Sequence, residues 1–253
     1  MNVSARIATL ELQIQEMINA VADLKIQIGD GDAPLFDASL FGAIPGVGNP
    51  VVPLKEVFVL FDFETGGLGK TSEIRICQVG AIVLDQQLNV LGEFDEFVNP
   101  KRDISPGATK VNGITNDFVN NLEDWSVVGL RFHQWIAGFA EGLPVTLVGH
   151  NSKRFDGRIL FFENARHKVP NLPNLFLTDT IPVFKELFKD CSDYKLGTIY
   201  CDQFKEKISD QHTALGDSKA MLRLLGGGNH KMVRDKLFKY RESFSAVIKR
   251  CLK

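Results

Sequence analysis

The apolar run VFVLFDF at residues 57–63 constrains the fold more than any other feature of the sequence. A run of this kind is expected of a central strand that is covered on both faces. Downstream, short β-like runs alternate with helical patterns. We predict further strands over residues 74–84, 90–98, 145–148 and 175–177, and helices over 125–141, 152–167, 213–225 and about 231–249. This alternation indicates an α/β domain whose first three strands form a meander.

Two carboxylates stand at the end of the first predicted strand, in the segment FDFETGGL. Asp62 and Glu64 are two residues apart, so on a strand they project from the same face. The pattern alone is weak evidence, but acidic side chains at the carboxyl end of a buried strand lie where α/β sheets bind ligands. Their mutual repulsion is unfavourable unless a cation or a proton compensates it. Oxygen ligands of this kind suit Mg²⁺ or Mn²⁺.

Three further polar residues lie at predicted helix starts. Asp156 falls in GHNSKRFDGRILFF, and His212 and Asp217 fall in QHTALGDSKAMLRLL. An aspartate in the first turn of a helix is commonly explained by helix electrostatics alone. A lone His212 is more often a satisfied surface histidine. The functional interpretation therefore depends on the set as a whole.

The order of these residues, D-x-E, then D, then H-x4-D, resembles the DEDDh exonucleases of the ribonuclease H-like fold. Thr213 stands where the tyrosine subclass of that family has its tyrosine, so the histidine subclass is favoured. The segments HNSKRFD, NPKRDISPGATKVNGIT and DYKLGTIY are similar to the three-prime repair exonucleases, and the match covers about residues 55–225. The resemblance implies a mixed five-stranded sheet flanked by helices, within an exonuclease domain at residues 54–253.

The resemblance also implies a mechanism. Asp62, Glu64, Asp156 and Asp217 would hold two Mg²⁺ ions, for which Mn²⁺ would substitute, and His212 would be the general base. The expected product is a 5′-mononucleotide removed from a 3′ end. The similarity favours DNA as the substrate and leaves RNA open. Two other hypotheses remain, a catalytically silent nucleic-acid-binding or scaffold protein on the same fold, and a hydrolase of another phosphodiester.

Further positions match the family's substrate contacts. The resemblance implies that Thr65 and Gly66 present backbone N–H groups to the terminal sugar and that Leu68 wedges against the terminal base. Val111 and Phe155 would line the pocket for the last nucleotide. Core packing is the alternative for these three apolar side chains. The remaining predicted strand contacts are Asn151, Lys153 and Arg154, and for the two cations a solvated pair is the alternative.

The sequence departs from the family pattern at Gln78, Asn112 and Gly69. Many relatives have an acidic residue at the first position and a histidine or threonine at the second. Some close relatives have a proline at the third. These departures bear on substrate preference, because none of them is one of the five proposed catalytic residues.

The N-terminal segment has a separate organisation. Residues 1–28 carry apolar residues at alternating spacings of four and three, with β-branched residues at one heptad position, which favours a parallel two-stranded coiled coil and hence a homodimer or other homo-oligomer. Docking of this helix on its own domain is the alternative. Residues 29–53 are rich in Gly, Pro and Asp and are interpreted as a linker.

The composition narrows the setting. The net charge of −2 excludes a strong global basic field, so nucleic-acid binding requires a local patch or metal ions. The four cysteines lack zinc-type spacing and are expected to be reduced thiols. We find no signal-peptide pattern and no stretch long enough to span a bilayer, so we expect no membrane association and an intracellular protein of the cytoplasm or nucleus.

Overall fold

The computed structural model describes residues 55–252. The predicted coiled coil at residues 1–28, the predicted linker at 29–53 and dimerisation through residues 1–28 lie outside the described residues. Among residues 55–252, no helix is both long and apolar enough to cross a membrane. Within residues 55–252, Cys77, Cys191 and Cys201 form no disulfide bond.

A mixed sheet forms the centre of the domain, with the order β3-β2-β1-β4-β5-β6. β2 is antiparallel to both β1 and β3, and β4 and β5 continue parallel to β1. The strands are β1 Val57–Thr65, β2 Ile76–Leu84, β3 Val90–Phe97, β4 Val145–Gly149, β5 Leu175–Asp179 and β6 Glu242–Ser243. The predicted meander and mixed sheet are confirmed, and a two-residue sixth strand extends the five that were predicted.

Helices cover both faces of this sheet. They are α1 Pro106–Asn112, α2 Asn116–Val119, α3 Trp125–Ala140, α4 Asp156–His167, α5 Thr180–Leu187, α6 Leu196–Phe204, α7 Ala214–Gly226, α8 His230–Lys239 and α9 Phe244–Cys251. On β1, Val57, Val59 and Phe61 pack into one core with residues of α3, α4 and α9. Phe58 and Leu60 point to the opposite face and pack with residues of α5 to α8. Covering on both faces explains why β1 is almost continuously apolar.

Two predicted helices differ from the structure. The helix expected over residues 152–167 begins only at Asp156, because residues 150–155 form a loop whose backbone donates hydrogen bonds to the Asp179 carboxylate. The helix expected over residues 231–249 is split into α8 and α9. Between them, Glu242 and Ser243 pair with the edge of β5, and the Ser243 side chain then caps α9. The shorter helices α1, α2, α5 and α6 were not predicted.

Candidate active site

Three carboxylates meet where β1 ends and α7 begins. Asp62 and Glu64 project from the same face of β1, as their spacing predicts, and Asp217 approaches from the first turn of α7. One oxygen from each carboxylate lies within 4.8 Å of the others. This separation suits a common divalent cation, which oxygen ligands bind at roughly 2.0–2.6 Å.

A glycine on the neighbouring strand allows Asp217 to reach this position. Gly80 pairs with Asp62 across β1 and β2. A Cβ atom at Gly80 would overlap the backbone of Ala214 and Leu215, so the first turn of α7 lies directly on the strand. The Ser218 hydroxyl donates to the Gly80 carbonyl at 3.1 Å, which holds the helix in that position.

Gln78 fixes the same helix from its N-terminus. Its side-chain amide donates to Asp95 on β3 at 2.7 Å, and its side-chain oxygen accepts the backbone N–H of Ala214 at 3.3 Å. Gln78 is buried, so its amide group links β2, β3 and α7 inside the protein. The family's acidic residue is therefore replaced here by a side chain that positions the helix carrying Asp217.

The fourth carboxylate, Asp156, is the first residue of α4 and is buried. It accepts hydrogen bonds from its own backbone N–H and from the N–H of Phe63, the residue between Asp62 and Glu64 on β1. It lies close enough to Asp62 for electrostatic repulsion between the two carboxylates. The structure therefore brings Asp156 to the group that the sequence predicts.

The loop before Asp156 is held by polar contacts on both sides. The ring of His150 bonds to the Thr180 hydroxyl at 2.9 Å and to the Tyr194 carbonyl at 2.8 Å. Because a carbonyl only accepts, Nε2 carries the proton and Nδ1 accepts from the hydroxyl. Burial lowers the pKa of His150, which keeps the ring neutral. Two motifs quoted from the sequence, HNSKRFD and DYKLGTIY, thus meet at this histidine.

We refer to the carboxylates of Asp62, Glu64, Asp156 and Asp217 as the acidic cluster. The electrostatic environment of the acidic cluster favours the binding of protons or cations. Burial raises the pKa of Glu64 to about 8, and repulsion from Asp217 adds to the increase. Burial also raises the pKa of Asp156 to about 7 and that of Asp217 to about 6. The pKa of Asp62 is raised well above its ordinary value by burial and then by repulsion from its three neighbours. A positive charge bound among these groups would relieve both effects.

One atom of the cluster is suited to binding a cation. The Oδ1 atom of Asp217 is buried and has no hydrogen-bond partner among residues 55–252. A buried carboxylate oxygen without a donor costs free energy, whereas a metal ligand at that position would not. The donor set consists of oxygen atoms only, which fits Mg²⁺ or Mn²⁺.

His212 lies beside the cluster at the protein surface. Its backbone N–H donates to the Asp217 carboxylate, and its side chain is exposed. Its φ angle of +68° lies in the left-handed region, which few non-glycine residues adopt. The same aspartate that belongs to the acidic cluster therefore also fixes the backbone of the candidate base.

Asn112 is a site residue whose role was not predicted. Its side chain donates to the Thr65 carbonyl at 3.3 Å and forms a hydrogen bond with the Glu64 carboxylate, which opposes the rise in the pKa of Glu64. The sequence marks Asn112 only as a departure from the family pattern. Its contact with Glu64 depends on the position of α1, a helix that was not predicted.

An apolar pocket of about 500 Å³ adjoins the acidic cluster on the Glu64 side. Its walls include predicted substrate contacts from three separate segments: Thr65, Leu68, Val111 and Phe155. Leu68 is 93% exposed and Val111 is 56% exposed, so neither side chain is part of the core. Exposed apolar side chains around a concave site favour ligand contact over the packing alternative.

Four other predicted contacts have different surroundings. The N–H of Gly66 donates to the Arg75 carbonyl at 3.0 Å, so the prediction that it faces the terminal sugar is wrong. The irregular end of the β1–β2 ladder uses that donor instead. Asn151 and the exposed Arg154 lie on the loop before Asp156, outside the walls of the apolar pocket. The ammonium of Lys153 bonds to Glu242 and to the Tyr240 carbonyl rather than facing the site.

A protein-family model shows which family this chain belongs to. The exonuclease family model RNase_T matches residues 59–225, a span that contains all four carboxylates and His212. The chain belongs to the RNase_T exonuclease family. The predicted membership of the DEDDh exonucleases is thereby confirmed, and residues 59–225 form an exonuclease domain. The narrower similarity to the three-prime repair exonucleases stays a prediction.

Curated relatives of this RNase_T family chain include DNA polymerase III proteins. The DNA polymerase III PolC-type of Caldanaerobacter subterraneus subsp. tengcongensis is 31% identical over 173 residues, which cover 68% of this chain and 12% of that protein. The DNA polymerase III subunit epsilon-like protein of Rhodobacter capsulatus is 36% identical over 208 residues, or 76% of this chain and 27% of that protein. The chain thus spans only a small part of the length of these relatives.

Solved structures share the fold of this RNase_T family chain. E. coli exonuclease I in complex with a dT13 oligonucleotide matches with a TM-score of 0.61 at 20% identity, over 73% of this chain and 43% of that one. A zinc-bound E. coli exonuclease I complex with single-stranded DNA matches with a TM-score of 0.59, over 74% and 42% of the two chains. The likeness confirms the predicted ribonuclease H-like exonuclease architecture.

Proposed function

We propose that this chain is a divalent-metal-dependent 3′→5′ exonuclease that releases 5′-mononucleotides from DNA. One observation carries the proposal: on a nuclease fold, three carboxylates converge within 4.8 Å, and a buried oxygen of one of them lacks any donor among the described residues. A nucleic-acid-binding scaffold protein without catalytic activity would gain nothing from burying carboxylates that repel one another. Such burial is instead expected of a site that binds cations.

Asp62, Glu64, Asp156 and Asp217 would hold two Mg²⁺ ions, with Mn²⁺ as a substitute. When bound, the metal ions would neutralise charge on the phosphodiester and make an attacking water more acidic. The chain's own contribution is to fix four oxygen ligands on β1 and at the first turns of α4 and α7. Because the backbone of these elements is rigid, the ligands are positioned before substrate arrives.

His212 would act as the general base, accepting a proton from the attacking water. Histidine is suited to this role because its ordinary titration lies near neutral pH. Its exposed position beside Asp217 leaves the ring accessible to a water molecule at the cluster. The hydrogen bond from its backbone N–H to Asp217 would hold His212 at a fixed position relative to the acidic cluster.

The apolar pocket would take the terminal nucleoside. Leu68 and Val111 offer exposed apolar surface to a base, and Phe155 places the pocket next to Asp156. DNA is favoured over RNA because the relatives are DNA polymerase III proteins and the matched exonuclease I complexes contain DNA.

Three sequence predictions extend this proposal. We propose an exonuclease domain at residues 54–253 and homo-oligomerisation through residues 1–28, which light scattering on the full chain and on a chain lacking residues 1–28 would test. Equal mass per particle in the two samples would contradict oligomerisation through that segment. An intracellular setting, in the cytoplasm or nucleus, also stays a prediction.

A product assay tests the proposed function. Single-stranded DNA and RNA of one sequence, each labelled at the 5′ end, are incubated with the protein and Mg²⁺. We expect a ladder of labelled products on DNA, shortened one nucleotide at a time, together with free 5′-mononucleotides. Release of the labelled 5′ nucleotide first would contradict the polarity, faster degradation of RNA would contradict the substrate, and no cleavage at all would favour the scaffold hypothesis.

A further inference from the structure

Three arginines from distant parts of the sequence converge on one surface turn. The Nη1 atoms of Arg75 and Arg102 both donate to the Glu73 carbonyl, at 2.8 and 3.0 Å. The Nη2 atom of Arg166 donates to the preceding carbonyl, that of Ser72, at 2.6 Å. Three guanidinium groups therefore meet at two consecutive carbonyl oxygens, and we refer to Arg75, Arg102 and Arg166 as the arginine cluster.

Repulsion within the arginine cluster is incompletely balanced. Arg166 pairs with the buried Glu163. Glu73 and Asp103 line the same cavity as Arg75 and Arg102, but no ion pair between these side chains is present in residues 55–252. Burial lowers the pKa of Arg75, the charge of Arg102 lowers it further, and the charge of Glu73 offsets only part of this decrease. Crowded arginines that retain unused N–H donors are typical of a site for a phosphate group, which accepts several such bonds at once.

The arginine cluster is separated from the acidic cluster by one loop. A cavity of about 190 Å³ lies beside it, lined by Arg75, Arg102 and the loop at residues 66–69. The apolar pocket lies beside the same loop, and the two cavities share Gly67, Leu68 and Ser105 as walls. The exposed side chain of Leu68 therefore stands between the pocket for the terminal nucleoside and the cavity beside the arginines.

The position of the two cavities favours a second nucleic-acid strand as the ligand of the arginine cluster. This inference rests on the proposed function. If the terminal nucleoside of a 3′ end occupies the apolar pocket, its own backbone passes the acidic cluster on the Glu64 side. The nucleotide that was paired with it lies beyond Leu68, on the side of the arginines. We propose that the arginine cluster binds a backbone phosphate of the complementary strand when the 3′ end of a duplex is engaged.

Phosphate binding there would assist separation of the last base pair. The complementary strand would be held on one side of Leu68 while the terminal nucleoside enters the apolar pocket on the other side. The phosphate contact would then offset part of the free-energy cost of unpairing. The contact carries no sequence information, since it is made to the backbone. It predicts a protein that accepts paired 3′ ends as well as single strands.

A binding comparison tests the proposal. The full chain and its Arg75→Gln/Arg102→Gln variant are titrated with a blunt duplex and with the single strand of the same 3′ sequence, in EDTA so that no cleavage occurs. We expect duplex affinity to fall roughly ten-fold and single-strand affinity to change less than about two-fold. The slope of log affinity against log salt should fall by roughly one on the duplex only.

The matched control is Lys189→Gln/Lys207→Gln, which removes the same charge from two exposed positions elsewhere. Arg102→Gln alone serves as a second variant, because Arg102 is exposed and makes a single described hydrogen bond to the turn. It should shift duplex affinity in the same direction by a smaller factor. The thermal unfolding temperature of each variant verifies that it is folded.

Two outcomes would overturn the proposal. Equal loss on duplex and single strand would assign the phosphate to the strand being degraded, and unchanged affinity for both would remove the site. A second assay separates this proposal from the proposed function. The wild-type protein is tested in Mg²⁺ for cleavage of the blunt duplex and of the single strand. If the wild type cleaves neither, the proposed function fails, whereas cleavage of both with no effect of the arginine variants contradicts the second-strand site alone.

Discussion

Two clusters of like charge lie on either side of the loop at residues 66–69, and the protein holds them in different ways. The carboxylates are fixed by the backbone of β1 and by the first turns of α4 and α7, and burial dominates their electrostatics. The arginines are more exposed, and long side chains from three segments reach the carbonyls of Ser72 and Glu73. One cluster is rigid and partly dehydrated, and the other is solvated and adaptable.

The difference indicates a division between catalysis at the acidic cluster and substrate binding at the arginine cluster. Buried carboxylates that repel one another gain strongly from a bound cation, and rigid ligands suit a reaction that depends on geometry. Solvated arginines add modest, salt-dependent affinity for phosphates without demanding one geometry. Substitutions should therefore change turnover by large factors in the acidic cluster and change affinity by small factors in the arginine cluster.

The largest effect is expected at Asp62, which is repelled by all three other carboxylates. Asp62→Asn should reduce cleavage of single-stranded DNA in Mg²⁺ by roughly 10³-fold or more, because several kcal/mol of transition-state stabilisation depend on the metal site. Steady-state rates on a labelled oligonucleotide measure the loss. Asp117→Asn, at an exposed carboxylate on α2, is the matched control and should keep wild-type rates. Full activity in the Asp62 variant would place the chemistry elsewhere.

His212→Ala should slow turnover by roughly 10²–10⁴-fold, the usual range for a positioned general base. Affinity for Mn²⁺, measured by calorimetric titration, should stay close to that of the wild type, since the imidazole is exposed and outside the group of converging carboxylates. A collapse of Mn²⁺ affinity in this variant would make His212 a metal ligand instead of a base.

Gly80→Ala tests whether the contact between α7 and β2 positions Asp217. The added methyl group would overlap the backbone of Ala214 and Leu215. We expect a loss of about 1–3 kcal/mol of stability, and a lower kcat in the protein that remains folded, because α7 must shift. Gly138→Ala is the control, since a methyl group there meets no atom within 4 Å and should leave both quantities unchanged or slightly improved. Equal behaviour of the two variants would contradict the account.

The smallest effect concerns stability without metal ions. The raised pKa values of Glu64, Asp156 and Asp217 mean that the folded state holds these protons more tightly than the unfolded state. The resulting stabilisation is complete below about pH 4 and is lost as the pH rises through about 6 to 8. Urea unfolding in EDTA should show this decline, and Glu64→Gln should flatten it by no more than about 1.4 kcal/mol per pH unit. An unchanged slope in that variant would argue against a buried, repelling cluster.

The acidic cluster was predictable because its residues sit at positions with local rules. Asp62 and Glu64 are two residues apart on a strand, so their spacing alone predicts that they share a face. Asp156 and Asp217 are near helix starts, and they joined the set because the order of the residues resembles that of the DEDDh exonucleases. The first five strands were predictable because each contains a short run of apolar, β-type residues. The predicted start of α4 was wrong because it depends on a distant partner. The loop before Asp156 donates hydrogen bonds to Asp179, and this contact delays the start of the helix.

The arginine cluster had no such local rule. Arg75, Arg102 and Arg166 come from three separate segments, and each alone would be interpreted as a solvated charge. The roles of Gly80 and Asn112 were missed for a related reason, since each depends on the close approach of a helix whose position the sequence does not give. A glycine inside a strand pattern is a usable signal of such an approach.

The Mg²⁺ dependence of cleavage by the wild-type protein tests the central claim most directly. Initial rates on a 5′-labelled single-stranded DNA are measured in EDTA and then across added Mg²⁺ or Mn²⁺. We predict no shortening in EDTA, restoration of activity by either ion, and a higher unfolding temperature over the same range of ion concentration. Cleavage in EDTA at the rate seen with Mg²⁺ would contradict it.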